Sequence, residues 1–389
     1  MASHAALPIR TDQSGVSTLE LFFDLGFVLA IAQCTTLMSH QPSWTGLGRG
    51  LVVLALLWWA WVGYSWLTSV VNPEHVRVRL PMFAATIALA VAALCVPRAF
   101  GDLAMLFVGA YAIVRFGHIA LMLAASTDHR GMWRASSGLA VSTAIGVGLL
   151  TWGATLDAHA QLIVWAVAAA LDIGGPLVIE AEGWRLTPSH FAERHGLIVI
   201  IALGESVLAI GVGAAHPEHL GTLAAVLLGA IAACCMWWVY FDMLALVAER
   251  ALSRASAGRE QNAMARDAYS YIHYGLIAGI VLVALGFKKA LGHVEEPLTT
   301  VGAAALIGGV AIYFASITAF GKRTTGLLAR DSLVVAVVFA ALIPVGTRVD
   351  GWIAITVLAA LLVLVVVYKA VHYSEGRRRV RGRMLSTDD

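Results

Sequence analysis

Leu19-Glu20-Leu21-Phe22-Phe23-Asp24-Leu25-Gly26-Phe27-Val28-Leu29-Ala30 sets two carboxylates one helical turn apart inside an otherwise apolar run. With its continuation to residue 38 the run is long enough to cross a bilayer, whose hydrocarbon core asks for roughly 20 apolar residues per helix. Acids in that setting are costly and normally face a protein interior or a water-filled cavity. Comparable stretches follow at Leu171-Asp172-Ile173-Gly174-Gly175-Pro176 and at Ala202-Leu203-Gly204-Glu205-Ser206. The 389 residues are 59% hydrophobic and 13% charged, where a soluble domain carries about a quarter of its residues charged. The fold class is therefore all-α and polytopic, in a membrane.

Cutting the chain at its charges, prolines and glycine clusters predicts about 12 spans, near 18–38, 48–70, 77–96, 102–124, 135–153, 160–179, 194–213, 219–246, 268–287, 299–319, 331–346 and 352–373. Residues 1–16 are polar and carry no basic leader, so the first helix is expected to stay in the mature protein. Of the 26 Lys and Arg, twenty fall in loops on the N-terminal side and five on the other, with Arg115 inside a helix. Under the positive-inside rule both termini are cytoplasmic. Setting Trp58-Trp59 on Trp237-Trp238 brings Val28-Leu29-Ala30-Ile31 onto Val207-Leu208-Ala209-Ile210 without a gap. This suggests a 6+6 parallel repeat of a kind frequent among transporters. The expected organisation is a cytoplasmic segment 1–17, repeats 18–180 and 181–373, and a basic cytoplasmic tail 374–389. The tail's Arg377, Arg378 and Arg379 suit anionic lipid better than nucleic acid.

Chemistry is sought at the intramembrane charges. Ser17-Thr18-Leu19-Glu20 has the form of a capping box, which offers Glu20 a structural role beside a functional one. Asp24 shares its face by the i, i+4 rule, beyond the reach of capping. Asp172 precedes Gly174-Gly175-Pro176; proline removes a backbone donor and glycines ease unwinding, so this helix is expected to kink or break beside its acid. Glu193-Arg194-His195 is expected at the cytoplasmic interface. Glu205 lies eleven residues beyond Arg194, about 16 Å deeper at the helical rise. Arg115 is the one basic residue expected at depth, and Glu205, Asp172 or Asp24 must compensate it. The ion, proton or substrate site is thus expected among Asp24, Asp172, Glu205 and Arg115, with Glu20, His118, Glu193, His273 and Asp242 as secondary candidates.

Other residue types read as packing first. His118 and His273 suit a proton relay or a hydrogen-bonded core position, and Asp242 falls toward the cytoplasmic end of its helix. Trp58, Trp61 and Ser65 form a stripe that either fills the core or lines a pocket for an organic cation or flat ligand. Cys34, Cys95, Cys234 and Cys235 all lie in apolar runs, as helix-packing residues do. No phosphate loop, Cys-x-x-Cys or metal-binding histidine pair is present, so no cofactor, metal or catalytic kit is expected.

Leu19-Glu20-Leu21-Phe22-Phe23-Asp24-Leu25-Gly26-Phe27-Val28 and Glu193-Arg194-His195-Gly196-Leu197-Ile198-Val199-Ile200-Ile201-Ala202-Leu203-Gly204-Glu205-Ser206 together resemble the motifs of the bacterial low temperature requirement A (LtrA) family. The chain departs from them at Gly26, commonly a bulky aliphatic in the family, and at His195, often aromatic there. The resemblance places the motif acids at Glu20, Asp24, Glu193 and Glu205. It implies a link to growth at low temperature and no defined biochemical activity.

The expected function is a proton- or cation-coupled transporter or permease of a small solute or cation, and not an enzyme. A non-transporting scaffold or lipid-interacting factor, a passive cation channel and a membrane-embedded lipid enzyme are the alternatives.

Overall fold

One face of the first helix is the reverse of a soluble protein's. In the computed structural model, Phe22 and Leu25 are 50% and 59% exposed while Glu20 and Asp24 are 0% exposed. Outward apolar and inward ionic side chains are stable together only where the surroundings are lipid. The fourth helix repeats the pattern, with Ile113 and Phe116 exposed and Arg115 and His118 buried.

The structure describes residues 7, 10, 15–127, 130–178, 184, 186–213 and 220–374. Among them are twelve helices: α1 (Thr18–His40), α2 (Trp44–Val70), α3 (Val76–Cys95, closed by a 3-10 turn), α4 (Ala104–Ala125), α5 (Arg130–Gly153), α6 (Ala158–Val178), α7 (Pro188–Gly213), α8 (220–254), α9 (Arg259–Gly292), α10 (Thr300–Thr325), α11 (Arg330–Gly346) and α12 (Gly351–His372). Eleven are long and apolar enough to cross a membrane. The exception is α11: its 17 residues reach only about 26 Å at 1.5 Å per residue. α8 and α9 run well past their expected ends, continued through π-helical stretches at Tyr240–Leu244 and Ala265–Ile272. The tail with Arg377, Arg378 and Arg379 lies outside the described residues.

Two compact units divide the chain. The first comprises the described residues up to Ala202 together with Glu249–Ala278, and the second Leu203–Ala248 together with the described residues from Gly279. They are interleaved in sequence, so they are not two consecutive six-helix halves, and the 6+6 repeat is not confirmed.

In the first unit α1 packs on α2 and α3, and α2 also meets α4 and α6, which makes α2 the inner helix. The first half of α9 closes on it: Trp58 Nε1 donates to Ser270 O at 2.8 Å and Tyr274 Oη to Leu51 O at 2.8 Å. A π-helical stretch shifts the backbone ladder and frees carbonyls for such side-chain donors. In the second unit α11 lies along α10, and α12 against α8.

Glycines set the closest helix approach in the second unit. A Cβ on Gly279 would lie 2.8 Å from Gly309 O, and one on Gly286 would lie 2.4 Å from Leu306 Cα. Gly286→Ala is therefore expected to force α9 and α10 apart and lower stability by about 1–3 kcal/mol, read as an earlier thermal melt in detergent. Gly148→Ala, where a Cβ meets nothing within 4 Å, is the control that should melt as the parent does.

Candidate functional site

Two buried charge networks occupy the first unit. The first is anchored at the start of α1, where the Ser17 side chain accepts from Glu20 N and Glu20 Oε2 accepts from Ser17 N at 2.8 Å. The other oxygen of this carboxylate, Oε1, lies 2.8 Å from His190 Nε2 and 3.6 Å from Arg194 Nη1. Glu20 thus caps its helix and holds α7 at once. One turn further, Asp24 Oδ1 accepts from Arg194 Nη2 at 2.5 Å and from Trp61 Nε1 at 2.7 Å. Arg194 Nη1 donates to Thr68 Oγ1 at 3.0 Å, and the guanidinium stands over the Trp61 ring at 5.3 Å. Arg10, 3.8 Å from Glu20, brings a second positive charge.

Arg194 is fully buried in the protein, six residues from the start of α7, so a position near the membrane interface does not leave it in solvent. The physical reason is the pair of α1 acids, which makes burial tolerable. Its neighbour Glu193 is exposed and accepts from Val16 N at 3.2 Å.

The second network joins α4, α5 and α6. Arg115 donates through Nε to Asp172 Oδ2 at 3.1 Å and through Nη2 to Asp172 Oδ1 at 2.9 Å. Thr143 Oγ1 accepts from Arg115 Nη2 at 2.8 Å and donates to Asp172 Oδ1 at 3.0 Å, while Tyr111 Oη donates to Asp172 Oδ2 at 3.3 Å. Gly146 admits α6 to α5 here, since a Cβ on it would stand 3.3 Å from Asp172 Cβ. Arg115 is ten residues from the end of α4, about 15 Å or half a hydrocarbon core. Of its three possible partners, Asp172 is the one it takes.

The expected break beside Asp172 does not occur: α6 runs through Gly174-Gly175 and carries Pro176 in its last turn. Proline so near a helix end removes little of the ladder, and α9 supplies donors to the carbonyls there. Arg266 Nη1 reaches Pro176 O at 3.1 Å and Tyr271 Oη reaches Ile173 O at 2.8 Å. Beside the Arg115–Asp172 pair lies a small open-mouthed pocket lined by Trp59, Trp66, His118, Trp184 and Arg266. Trp58 and Trp61 are stacked in the core instead. Of the two readings of that stripe, core filling is the one the structure takes, and the pocket uses the neighbouring Trp59 and Trp66.

The remaining candidates scatter. His273 packs at 5.3 Å against His195 in an aromatic cage with Tyr269 and Phe191, and its Nδ1 donates to Ala268 O at 3.0 Å. Glu205 is buried at 8% exposure and lies in the second unit. Asp242 sits in the π-helical turn of α8, in the second half of a helix that continues to Arg254. It lines a cavity with Lys369 and Asp331, which are themselves paired. Sequence reasoning missed His190, Thr68 and Trp61 as partners. His190 and Arg194 are four apart on one helix, a legible sign that they share a face.

Apolar helices whose charges pair inward define a multi-pass membrane protein. The chain belongs to the bacterial low temperature requirement A protein (LtrA) family, matching it over residues 15–367. An uncharacterized protein of Rhizobium meliloti (strain 1021) is 28% identical over 331 residues, covering 81% of this chain and 79% of its own length. No solved structure matches the chain significantly. At the family departure Gly26, a Cβ would stand 3.0 Å from Leu89 Cδ2, so α3 occupies space that a bulky residue would need.

Asp172→Asn strands a buried guanidinium, and a loss of about 3–5 kcal/mol is expected, measured by thermal melting and folded yield in detergent. Arg115→Met combined with Asp172→Leu removes both charges and should recover most of it. Wild-type stability in the single variant would show that the pair carries no such burden.

Proposed function

We propose that this protein is a permease of the bacterial cytoplasmic membrane that moves a small solute in exchange for, or together with, protons. One observation carries the reading: a charge pair at half-depth, Arg115 with Asp172, borders an open-mouthed pocket. Ionic groups at membrane depth mark substrate and proton paths more often than they serve packing. A solute that competes for Arg115 would release Asp172 to take a proton. In the α1 network Asp24 Oδ2 has no hydrogen-bond partner among the described residues, which leaves a second carboxyl oxygen open to protonation. Acids that already hold arginines suit proton coupling better than a metal cation. The same reading sets both termini in the cytoplasm, leaves the tail arginines to anionic lipid and ties the activity to growth in the cold. It involves no catalysed reaction and no nucleic acid.

A scaffold reading has one observation in its favour, since Glu20, Asp24 and Asp172 all have basic partners that join helices. Flux separates the two. In proteoliposomes carrying an internal pH dye, the wild type is expected to dissipate an imposed gradient when a transported solute from a panel of small acids, amines and sugars is added outside. The Arg115→Met/Asp172→Leu variant should fold and lose at least tenfold of that flux. A wild type that moves neither protons nor any panel solute overturns the permease, and a double variant with undiminished flux overturns the role of the pair.

A further inference from the structure

The tryptophan-lined pocket of the first unit holds polar groups that helix packing leaves unmet. Trp66 spends its indole N–H on Ser270 Oγ at 3.0 Å. The indole nitrogens of Trp59 and Trp184, and both ring nitrogens of His118, have no hydrogen-bond partner among the described residues. All three side chains are more than nine-tenths buried. Native folds normally satisfy buried donors, so a group of them around one cavity calls for a ligand or ordered water.

The charges point to the ligand's sign. Arg115 engages Asp172 and Thr143 through Nε and Nη2 alone. Its Nη1 stands beside His118, both within 3.2 Å of where a Cβ on Gly63 would be. Arg266 adds a second guanidinium at the wall, and no acidic side chain is among the described lining residues. The acids paired with these arginines bind them from outside the lining. Positive charge and unmet ring nitrogens therefore line the cavity among aromatic rings, the complement of an oxyanion on an apolar body.

We propose that this pocket binds a small carboxylate with a compact apolar body. Its oxygens would meet Arg115 Nη1, His118 and the two indole N–H groups, and its body would lie among the tryptophans. A cation would meet like charge, and a neutral ring without an oxygen would leave the indole N–H groups without an acceptor. Passage of the ligand rests on the permease reading; its binding does not.

The test is calorimetric titration of the detergent-purified full chain with benzoate, against benzamide and benzylamine as neutral and cationic partners of the same ring. Benzoate uptake into proteoliposomes is followed in parallel. Benzoate is expected to bind at least tenfold more tightly than either partner. Trp59→Phe, which keeps a ring and removes the N–H, and His118→Leu should each weaken it fivefold or more without lowering the melting temperature. Undetectable benzoate binding, equal binding of the three probes, or unchanged affinity in both variants overturns the proposal. Binding without uptake overturns carboxylate passage and leaves the pocket standing, whereas uptake that both variants leave intact overturns the pocket and spares the permease.

Discussion

A charge taken into hydrocarbon without a counter-charge costs several kcal/mol, a large part of the stability of any fold. That constraint organises the first unit. Asp24 on α1 meets Arg194 on α7, and Asp172 on α6 meets Arg115 on α4. Neither pair tolerates loss of one member, so each acts as a lock between helices that are far apart in sequence. Pairs of this kind add little net stability over well-packed apolar residues. What they contribute is specificity of partner: in lipid, where apolar helices have little reason to prefer one neighbour, a carboxylate accepts only the helix that brings its arginine.

The networks differ in how fully they are satisfied. Around Asp172, both oxygens have donors, and Thr143 and Tyr111 complete the set. Around Asp24, Oδ1 receives two donors and Oδ2 none among the described residues. A half-satisfied buried carboxylate is the less settled state, because low dielectric magnifies any missing hydrogen bond. The pocket shows the same feature in its indole and imidazole nitrogens. Further atoms of this kind lie elsewhere, at Arg49, Ser136 and Ser206; what sets the pocket apart is that three such side chains line one cavity.

Much of the architecture was legible from hydropathy. Eleven of the spans have the length and composition to cross a membrane, and only the short helix at 330–346 falls below it, because a span needs only its own residues to be apolar. The capping box at Ser17 and Glu20 was legible for the same reason, being local. Partner choice was not. Arg115 had three candidate acids by sequence, and the burial of Arg194 was hidden because its position along α7 was visible while the α1 acids facing it were not. Of the aromatic stripe the core reading holds for Trp58 and Trp61, while the pocket falls to Trp59 and Trp66, a rotation of about 100° that hydropathy cannot detect on a helix apolar all round.

The sequence by itself determined that this chain lies in a membrane and that its acids sit at depth, since both follow from composition along single helices. Tertiary structure alone decided that Asp24 takes Arg194, that Asp172 takes Arg115, that α6 stays whole past its proline and that the pocket belongs to Trp59, His118 and Trp184. Each depends on which helices become neighbours and on their rotation, and those are set by packing and charge pairing between segments up to 223 residues apart.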